Sequence, residues 1–290
     1  MLRYMLAVFI GSCSYGVLST IVKLAYQAGA KTSVVTVGQF LIGWFILFVC
    51  YFFSRRKEKI SYQDKGKLML AGIPTGLVGV FYYLALVKVE ASLGIILLFQ
   101  FVWIGIVLDY LFFKRTPDKG KAMSVMILFV GTLMASGIIH GGLIGADLIG
   151  IVYGLLAAVS FSLFIFTNAS ILPALPPVQR SYYMVTGSTL AVLVIFLPSL
   201  MNLNGGDSLL SLGTYGIMLG LFGVVIPPFL FAYGMPKIGA TLGSILGSAE
   251  LPVAVGLSMF VLGERVTVIQ WIGVVIIFIG IIFPNLYKRR

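Results

Sequence analysis

The sequence predicts an all-α membrane protein in which ten transmembrane helices form two inverted five-helix repeats. Hydrophobic residues occupy 60% of the 290 positions, charged residues occupy only 10%, and the mean hydropathy is +1.08. A water-soluble domain keeps a more polar surface than this composition can supply. Apolar stretches of about 20 residues recur along the chain, and a helix of that length crosses the ~30 Å hydrocarbon layer of a bilayer.

Ten apolar stretches are separated by charged, proline-rich or glycine-rich segments, which are typical of loops. The predicted spans are 5–27, 32–53, 67–87, 91–113, 121–139, 147–171, 179–200, 211–234, 240–262 and 267–287.

Lysine and arginine are distributed unequally between the two sides of these spans. Sixteen of the twenty lie on the side that carries the termini, and four lie on the other side. An excess of basic residues in short loops marks the cytoplasmic face of a membrane protein. We therefore expect a multi-pass protein of the plasma membrane (a bacterial-type inner membrane) with both termini in the cytoplasm, which requires an even number of spans. The net charge of +11 then reflects membrane orientation, and no nucleic-acid partner is expected.

The second half of the chain repeats the first. At an offset of 149 residues, 88–94 aligns with 237–243, and residues 81–134 share eleven identities with their counterparts. Spans three to five thus correspond to spans eight to ten. Because five is an odd number, the second copy enters the membrane in the opposite direction, and inverted repeats of this kind are typical of secondary transporters. The predicted domains are residues 1–140 and residues 141–290, one repeat each.

Several motifs of the second half carry a resemblance to a known family. Ala240-Thr241-Leu242-Gly243 begins the ninth span, Glu250-Leu251-Pro252-Val253 lies in its middle, and Leu262-Gly263-Glu264-Arg265 follows at its end. Trp271-Ile272-Gly273 lies in the last span, with Gly280 seven residues later. These segments resemble the drug/metabolite transporter (DMT) superfamily of the EamA type.

The first half matches that pattern less closely. Trp103 stands where the family often has a mid-helix proline, and Lys114-Arg115 replaces Gly-Glu. The resemblance implies two EamA-like five-helix repeats and the export or exchange of metabolites such as amino acids, of drugs, or of nucleotide-linked compounds. We therefore expect a secondary active transporter, an exporter or exchanger of a small polar or amphipathic metabolite, with proton antiport as its coupling. The alternatives are a membrane-embedded enzyme and a channel.

No pattern in the sequence indicates enzymatic chemistry or a cofactor. An enzyme would need a cluster of His, Asp or Glu at one membrane depth, and here such residues are scattered singly. His140, in a predicted outer loop, and the separated Cys13 and Cys50 give no metal-ligand spacing, and there is no P-loop. The expected partners are a small-molecule substrate, protons and the lipid bilayer.

Glu250 is the leading candidate for a substrate or coupling site. A carboxylate in the middle of a span is costly unless it is paired, hydrated or protonated. Pro252 removes a backbone donor nearby. The residue is predicted to couple protons or to bind a substrate amine; the alternative is a hydrogen-bonded carboxyl that holds helices together.

Polar and basic residues within the spans are further candidates. Gln39, Gln100 and Asn168 are amides that suit a zwitterionic solute or bridge two helices. Lys23, near the outer end of the first span, either reaches the membrane interface or attracts an anionic group. Asp109, near the inner end of the fourth span, is expected to be hydrated or to pair with Lys114 or Arg115.

Aromatic residues complete the candidate set. Tyr82, Tyr83 and Trp103 lie in the third and fourth spans, which the resemblance places around the central cavity. There they would contact an apolar side chain or stack on a cationic group. Tyr15 and Tyr183 are further candidates, with packing or the membrane interface as the alternative role.

Overall fold

The structure, a computed structural model, describes residues 1–89, 91–114, 118–135, 147–201, 209–263 and 266–287. All secondary structure within these ranges is helical. The helices that run unbroken are α1 (Leu2–Gln27), α2 (Thr32–Phe53), α3 (Tyr62–Lys88), α5 (Lys119–Ala135), α6 (Leu148–Ser170), α7 (Pro177–Met201) and α10 (Val268–Tyr287).

Three further helices are interrupted. α4 comprises Ala91–Phe99 and Phe101–Phe113, and α9 comprises Ala240–Gly247 and Glu250–Leu262. α8 comprises Leu209–Leu219, a π-helical turn at Gly220–Val225, and Ile226–Ile238.

The ten predicted spans correspond one to one with these ten helices, so the predicted fold class is confirmed. Eight of the helices are long and apolar enough to cross a membrane, and Val268–Pro284 is a shorter apolar helix. Positions 136–139 of the fifth predicted span lie outside the described residues.

The third helix begins five residues before its apolar stretch. Its first turn is polar, and the Ser61 hydroxyl accepts a hydrogen bond from the Asp64 N–H at 3.0 Å. Asp64 also pairs with Lys67 at 3.1 Å. This N-cap satisfies a backbone donor at the helix start, so the helix extends beyond what hydropathy alone predicts.

Helix packing follows the relation between the two repeats. α1 packs on α8 and on α9. The counterpart of α1 is α6, and it packs in the same way on α3 and α4, which are the counterparts of α8 and α9. α2 packs on α8 as α7 packs on α3, and α5 packs on its own counterpart α10. Raising or lowering each helix number by five therefore reproduces the main contacts, as an inverted two-repeat architecture requires.

The breaks in α4 and α9 also occupy equivalent positions. At the repeat offset of 149 residues, Gln100 corresponds to Ala249. In each break a backbone N–H bonds three residues back: Gln100 to Leu97 at 3.2 Å, and Ala249 to Leu246 at 3.1 Å. Both helices thus contain one tightened turn, and the turn in α9 lies directly before Glu250.

Prolines account for the irregular turn in α8. Residues 227 and 228 are both proline, and they supply no N–H to the carbonyls of Gly223 and Val224. The π-helical turn at Gly220–Val225 immediately precedes them. A π-turn is a common local adjustment in an otherwise α-helical segment, and it is frequent at functional sites.

Close helix crossings depend on glycine at α3 and α7. A Cβ atom on Gly72 would collide with the carbonyl of Met184, and one on Gly187 would collide with the carbonyl of Met69. Both obstacles are backbone atoms, so no side-chain movement can relieve them. In lipid, small residues of this kind let helix backbones approach closely.

We predict that Gly72→Ala and Gly187→Ala each reduce the yield of folded protein and its thermal midpoint. Alanine favours a helix over glycine by about 1 kcal/mol, so any loss must come from the crossing. Gly66→Ala, in the same α3 helix but with nothing within 4 Å of the added atom, is the matched control. Size-exclusion yield and thermal unfolding in detergent measure the effect. Equal behaviour of Gly72→Ala and Gly66→Ala would refute the packing role.

Candidate functional site

A cavity of about 60 Å³ lies between seven helices in the centre of the bundle. This space holds a few water molecules. Its lining comprises Tyr15, Leu18, Ser19, Gln39, Phe40, Thr75, Val78, Gly79, Tyr82, Tyr83, Leu98, Phe161, Phe164, Gly223 and Glu250. Glu250 is the single ionisable carboxylic acid among these lining residues. The others are aromatic residues, aliphatic residues, glycines and uncharged polar residues.

Glu250 enters the cavity because the break in α9 places it at the start of the second helical piece. Within the described part of the chain its carboxyl group forms no ion pair and no hydrogen bond. The N-terminal end of a helix favours a negative charge, which partly offsets the burial. An isolated buried carboxylate remains costly, so this group calls for a proton or a cationic partner.

Three tyrosines surround this carboxyl. Tyr15, Tyr82 and Tyr83 all interact electrostatically with Glu250. The Tyr83 hydroxyl donates to Gln39 Oε1 at 2.9 Å, whereas the buried Tyr15 hydroxyl has no hydrogen-bond partner. A carboxyl group together with aromatic faces is an arrangement that suits an organic cation.

The Tyr15 ring is held in place by edge-on aromatic contacts. Its centroid lies 5.6 Å from that of Phe161, 6.4 Å from that of Phe164 and 5.8 Å from that of Phe231. Phe161 and Phe164 lie in α6 and Phe231 lies in α8. Helices of the second repeat therefore fix the orientation of a cavity residue that belongs to the first. Edge-to-face packing of this kind stabilises a defined ring position.

Comparison with known proteins identifies the scaffold. The EamA-like transporter family matches residues 2–137 and 148–286, which is nearly the whole chain in two consecutive repeats. The chain belongs to the EamA-like transporter family. It is therefore a membrane transporter of the DMT type, as the sequence motifs predicted.

One solved structure, described only as "Crystal structure of protein", is similar to this EamA-family chain. It is 14% identical, with a TM-score of 0.81, and the match covers 98% of each chain. This likeness shows the fold alone. No curated protein matches the chain.

Five of the predicted site residues meet at the cavity: Tyr15, Gln39, Tyr82, Tyr83 and Glu250. Their common feature is a polar side chain near the middle of a span or toward the side opposite the termini. The structure thus brings together residues from α1, α2, α3 and α9, and the central placement predicted for Tyr82 and Tyr83 agrees with it.

Gln100 and Trp103 lie elsewhere, which corrects the expected placement of Trp103 around the central cavity. The Trp103 indole N–H donates to Gln100 Oε1 at 2.7 Å, and the Gln100 amide donates to the Ile96 carbonyl at 2.9 Å. Both residues line a separate cavity of about 20 Å³ between α4 and α5. Neither residue lines the cavity that contains Glu250, and Trp103 is 46% exposed.

Asn168, Tyr183 and Lys23 also lie outside the lining of the central cavity. The buried Asn168 amide donates to the Phe164 carbonyl of its own helix at 3.1 Å. Tyr183 packs edge-on against Tyr51 on the side of the termini. Lys23 is half-buried near the end of α1. His140 lies outside the described residues, and among those described no group of three or more His, Cys, Asp or Glu residues could hold a metal ion.

Arg180 is an important residue whose burial the sequence did not reveal. It was counted among the basic residues on the side of the termini, at the start of the seventh predicted span, and its side chain is fully buried at the start of α7. The guanidinium donates to three backbone carbonyls: Asn168 at 2.8 Å, Ile171 at 3.0 Å and Ala232 at 2.7 Å. It therefore joins the end of α6 to the middle of the last piece of α8.

Proline explains why one of these carbonyls is available. In a regular helix the Ala232 carbonyl would accept from the N–H of residue 236, and residue 236 is proline. The Arg180 guanidinium supplies the missing donor. The two other carbonyls belong to the last turn of α6 and its C-cap, where a cation is favoured by the helix dipole. Pro236 was the sequence signal for this contact.

Asp109 and Thr241 form a second buried contact on the side of the termini. The Thr241 hydroxyl donates to Asp109 Oδ2 at 2.6 Å, which connects the end of α4 to the start of α9. The sequence had suggested hydration of Asp109 or pairing with Lys114 or Arg115. Lys114 instead lies 5.5 Å from the Tyr110 ring centroid, and Arg115 is outside the described residues. On the side of the termini, the helices are thus joined by the buried contacts of Arg180 and by the Asp109–Thr241 hydrogen bond.

We predict that Arg180→Gln lowers the thermal midpoint by several degrees, whereas Arg55→Gln, at an exposed position, leaves it unchanged. A glutamine side chain cannot donate hydrogen bonds to all three carbonyls, and each buried carbonyl left unpaired lowers the free energy of unfolding by about 1–3 kcal/mol. Pro236→Ala restores an N–H for the Ala232 carbonyl, so adding it to Arg180→Gln should recover part of the loss. Thermal unfolding in detergent is measured for Arg180→Gln, Pro236→Ala, the double variant of these two, and Arg55→Gln. An Arg180→Gln variant as stable as Arg55→Gln would show that the contact contributes nothing.

Proposed function

We propose that this chain is a secondary active exporter or exchanger of a small amphipathic solute that carries an ammonium group, such as an amino acid, with protons moving in the opposite direction. The observation that carries the proposal is the unpartnered carboxyl group of Glu250 in an aromatic cavity whose lining includes no lysine, arginine or histidine.

Charge balance connects this observation to antiport. The Glu250 carboxyl is neutral when it holds a proton and is compensated when it binds a substrate ammonium. Because one group cannot do both at once, proton and substrate compete for the same site. If that site opens alternately to each side, the competition alone exchanges a proton for a substrate molecule.

The remaining lining suits an amphipathic molecule. Phe40, Phe161 and Phe164 offer apolar faces for a side chain, and Tyr15 and Tyr82 offer aromatic faces for the cationic end. Tyr83 donates to the oxygen of the Gln39 amide, so the amide nitrogen remains a donor for a carboxylate or carbonyl of the solute.

Access to the two sides is proposed to alternate around this cavity. Gln39 lies early in α2 and Tyr83 late in α3, so the lining extends from the middle of the bundle toward the side opposite the termini. The contacts of Arg180 and the Asp109–Thr241 hydrogen bond join helices on the side of the termini, which supports closure of the cavity on that side. Release to that side then requires those contacts to separate.

The orientation and repeat boundary belong to the same proposal. The charge asymmetry supports a plasma-membrane protein with cytoplasmic termini, and removing the buried Arg180 from the count leaves its sign unchanged. The family match falls into two stretches separated between 137 and 148, which supports a division between residues 140 and 141.

Topology gives the first test of this proposal. Cysteines are introduced singly in a variant that lacks Cys13 and Cys50. We expect positions 145 and 205 to react with an impermeant thiol reagent in intact cells, and positions 58 and 118 to react only after permeabilisation. Labelling of position 58 from outside would reverse the orientation.

Glu250→Gln is expected to fold, to lose most driven transport, and to lose the dependence of transport on an imposed pH gradient. Glutamine keeps the shape and hydrogen bonding of the side chain but carries neither a proton nor a negative charge. Asp118→Asn, which removes an exposed carboxylate, is the matched control and should transport normally. A thermal-shift screen with amino acids, amines, carboxylates and sugars identifies the solute, since a ligand that binds the folded state raises its thermal midpoint. Transport of that solute is then measured in proteoliposomes.

Three results would count against the proposal. Wild-type pH-driven transport by Glu250→Gln would make Glu250 a structural residue. A screen in which carboxylates without an amine stabilise the protein as well as amines do would remove the ammonium from the substrate class. Unit conductance steps in a planar bilayer, in place of saturable exchange, would favour a channel.

A further inference from the structure

A second concave site lies on the side of the termini, far from Glu250. This basic pocket has a volume of about 420 Å³ and lies between the α2–α3 loop and the α6–α7 loop. The first loop contributes residues 55–58 and the second contributes residues 174–177. Three of the eight lining residues are cationic, namely Arg55, Arg56 and Lys57, and Glu58 is the single acidic one.

The basic pocket is held open by a buried amide. The Gln179 side chain is 1% exposed and binds the backbone of Glu58 in both directions. The Glu58 N–H donates to Gln179 Oε1 at 2.9 Å, and Gln179 Nε2 donates to the Glu58 carbonyl at 2.9 Å. The α2–α3 loop is thus fixed to the start of α7, and the charges of residues 55–57 are presented on a defined backbone.

The cations of this pocket differ in their contacts. Lys57 Nζ donates to the Phe52 carbonyl at 2.8 Å and lies 4.9 Å from the Tyr51 ring centroid, so it is anchored at the end of α2. Arg55 and Arg56 are exposed, and within the described residues their guanidinium groups form no ion pair or hydrogen bond. Their guanidinium groups keep all donors for an external anion, and guanidinium geometry matches phosphate.

A helix start adds to the positive potential. α7 begins at Pro177, which lines the pocket, and its first turn contains no acidic residue. The positive end of a 25-residue helix therefore lies at the pocket edge without a carboxylate to neutralise it.

The position of the pocket relative to the membrane indicates the source of the anion. Phe52 and Phe53, which end α2, are 64% and 76% exposed, as expected of side chains that face lipid. The charged residues 55–57 follow at once, so the pocket lies at the level of the lipid headgroups. With the proposed orientation this is the cytoplasmic leaflet, which carries anionic lipids.

We propose that the basic pocket binds the phosphate group of an anionic phospholipid from the cytoplasmic leaflet, with Arg55 and Arg56 as its principal ligands. A bound lipid would bridge the α2–α3 and α6–α7 loops next to Arg180. The site is independent of Glu250 and does not require the substrate proposed above.

The test uses the purified full-length protein in detergent, with lipid binding followed by native mass spectrometry and thermal midpoint. The probes are phosphatidylglycerol, phosphatidylcholine with the same acyl chains, and inorganic phosphate. We expect phosphatidylglycerol to bind in preference to phosphatidylcholine. The double variant Arg55→Gln/Arg56→Gln should bind phosphatidylglycerol roughly tenfold more weakly or worse, from the usual contribution of a basic residue near an anionic lipid surface.

Two controls make the test specific. Lys119→Gln/Lys121→Gln removes the same charge from the same side but outside the pocket, and should change phosphatidylglycerol binding by no more than about twofold. Glu58→Gln removes the one acidic side chain of the pocket while keeping the backbone contacts to Gln179, and should strengthen binding. It tests the site even where the arginine variant does not fold.

The following results would overturn the inference. Equal losses in the two double variants would mean general attraction to the charged surface. Displacement of phosphatidylglycerol by millimolar inorganic phosphate would assign the site to a soluble anion. Unchanged or weaker binding by Glu58→Gln would show that the lipid does not occupy this pocket.

Discussion

The constraint on which this structure depends is that every backbone carbonyl inside the bilayer needs a donor. Water is absent there, and an unpaired carbonyl costs several kcal/mol. Each proline within a helix removes one donor, and at three places the backbone or a side chain adjusts locally. At Pro236 the donor comes from the Arg180 guanidinium, at the Pro227–Pro228 pair a π-turn adjusts the backbone, and before Pro252 the Leu251 N–H bonds the Ser248 carbonyl at 3.3 Å. The last of these contacts lies in the break in α9, next to Glu250.

Arg180 and Glu250, two ionisable residues of the second repeat, differ in their contacts. Arg180 donates to three carbonyls on two helices, so it ties these helices together. Among the described residues, the Glu250 carboxyl has no such partners, and none of the residues that line its cavity is cationic. A charged group with hydrogen-bond partners stabilises the fold. A carboxylate without such partners favours binding of a proton or a cation. This difference, rather than the mere presence of a carboxyl group, is why Glu250 is the residue on which the proposed exchange depends.

Much of this organisation could be predicted from the sequence, because hydropathy and loop charge determine which segments enter the bilayer. The ten spans and the prominence of Glu250 and Pro252 followed from such local patterns. Trp103 could not be placed, because its direction depends on the face of α4 that turns toward α5. Arg180 was missed for a related reason: it lies beside a proline-rich loop, and its carbonyl partners on α6 and α8 are brought together only by tertiary packing. Hydropathy also gave no indication that Gln179 organises the α2–α3 loop.

The two repeats have similar backbone structures, but they carry different side chains at equivalent positions. At the repeat offset, Glu250 corresponds to Phe101 and Pro252 to Trp103, while Asp109 corresponds to Ser258. Phe101 is fully buried and packs edge-on against Phe161, a residue of the cavity wall, so one repeat supplies the carboxyl and the other supplies apolar packing at the matching position. In the proposed mechanism, inverted symmetry provides two alternative openings of the same cavity, and the asymmetry restricts the charge exchange to one carboxyl group. A symmetric pair of carboxylates in so small a space would repel each other when both were ionised. With one carboxyl, a single proton or a single ammonium is sufficient to neutralise the cavity in each half of the proposed cycle.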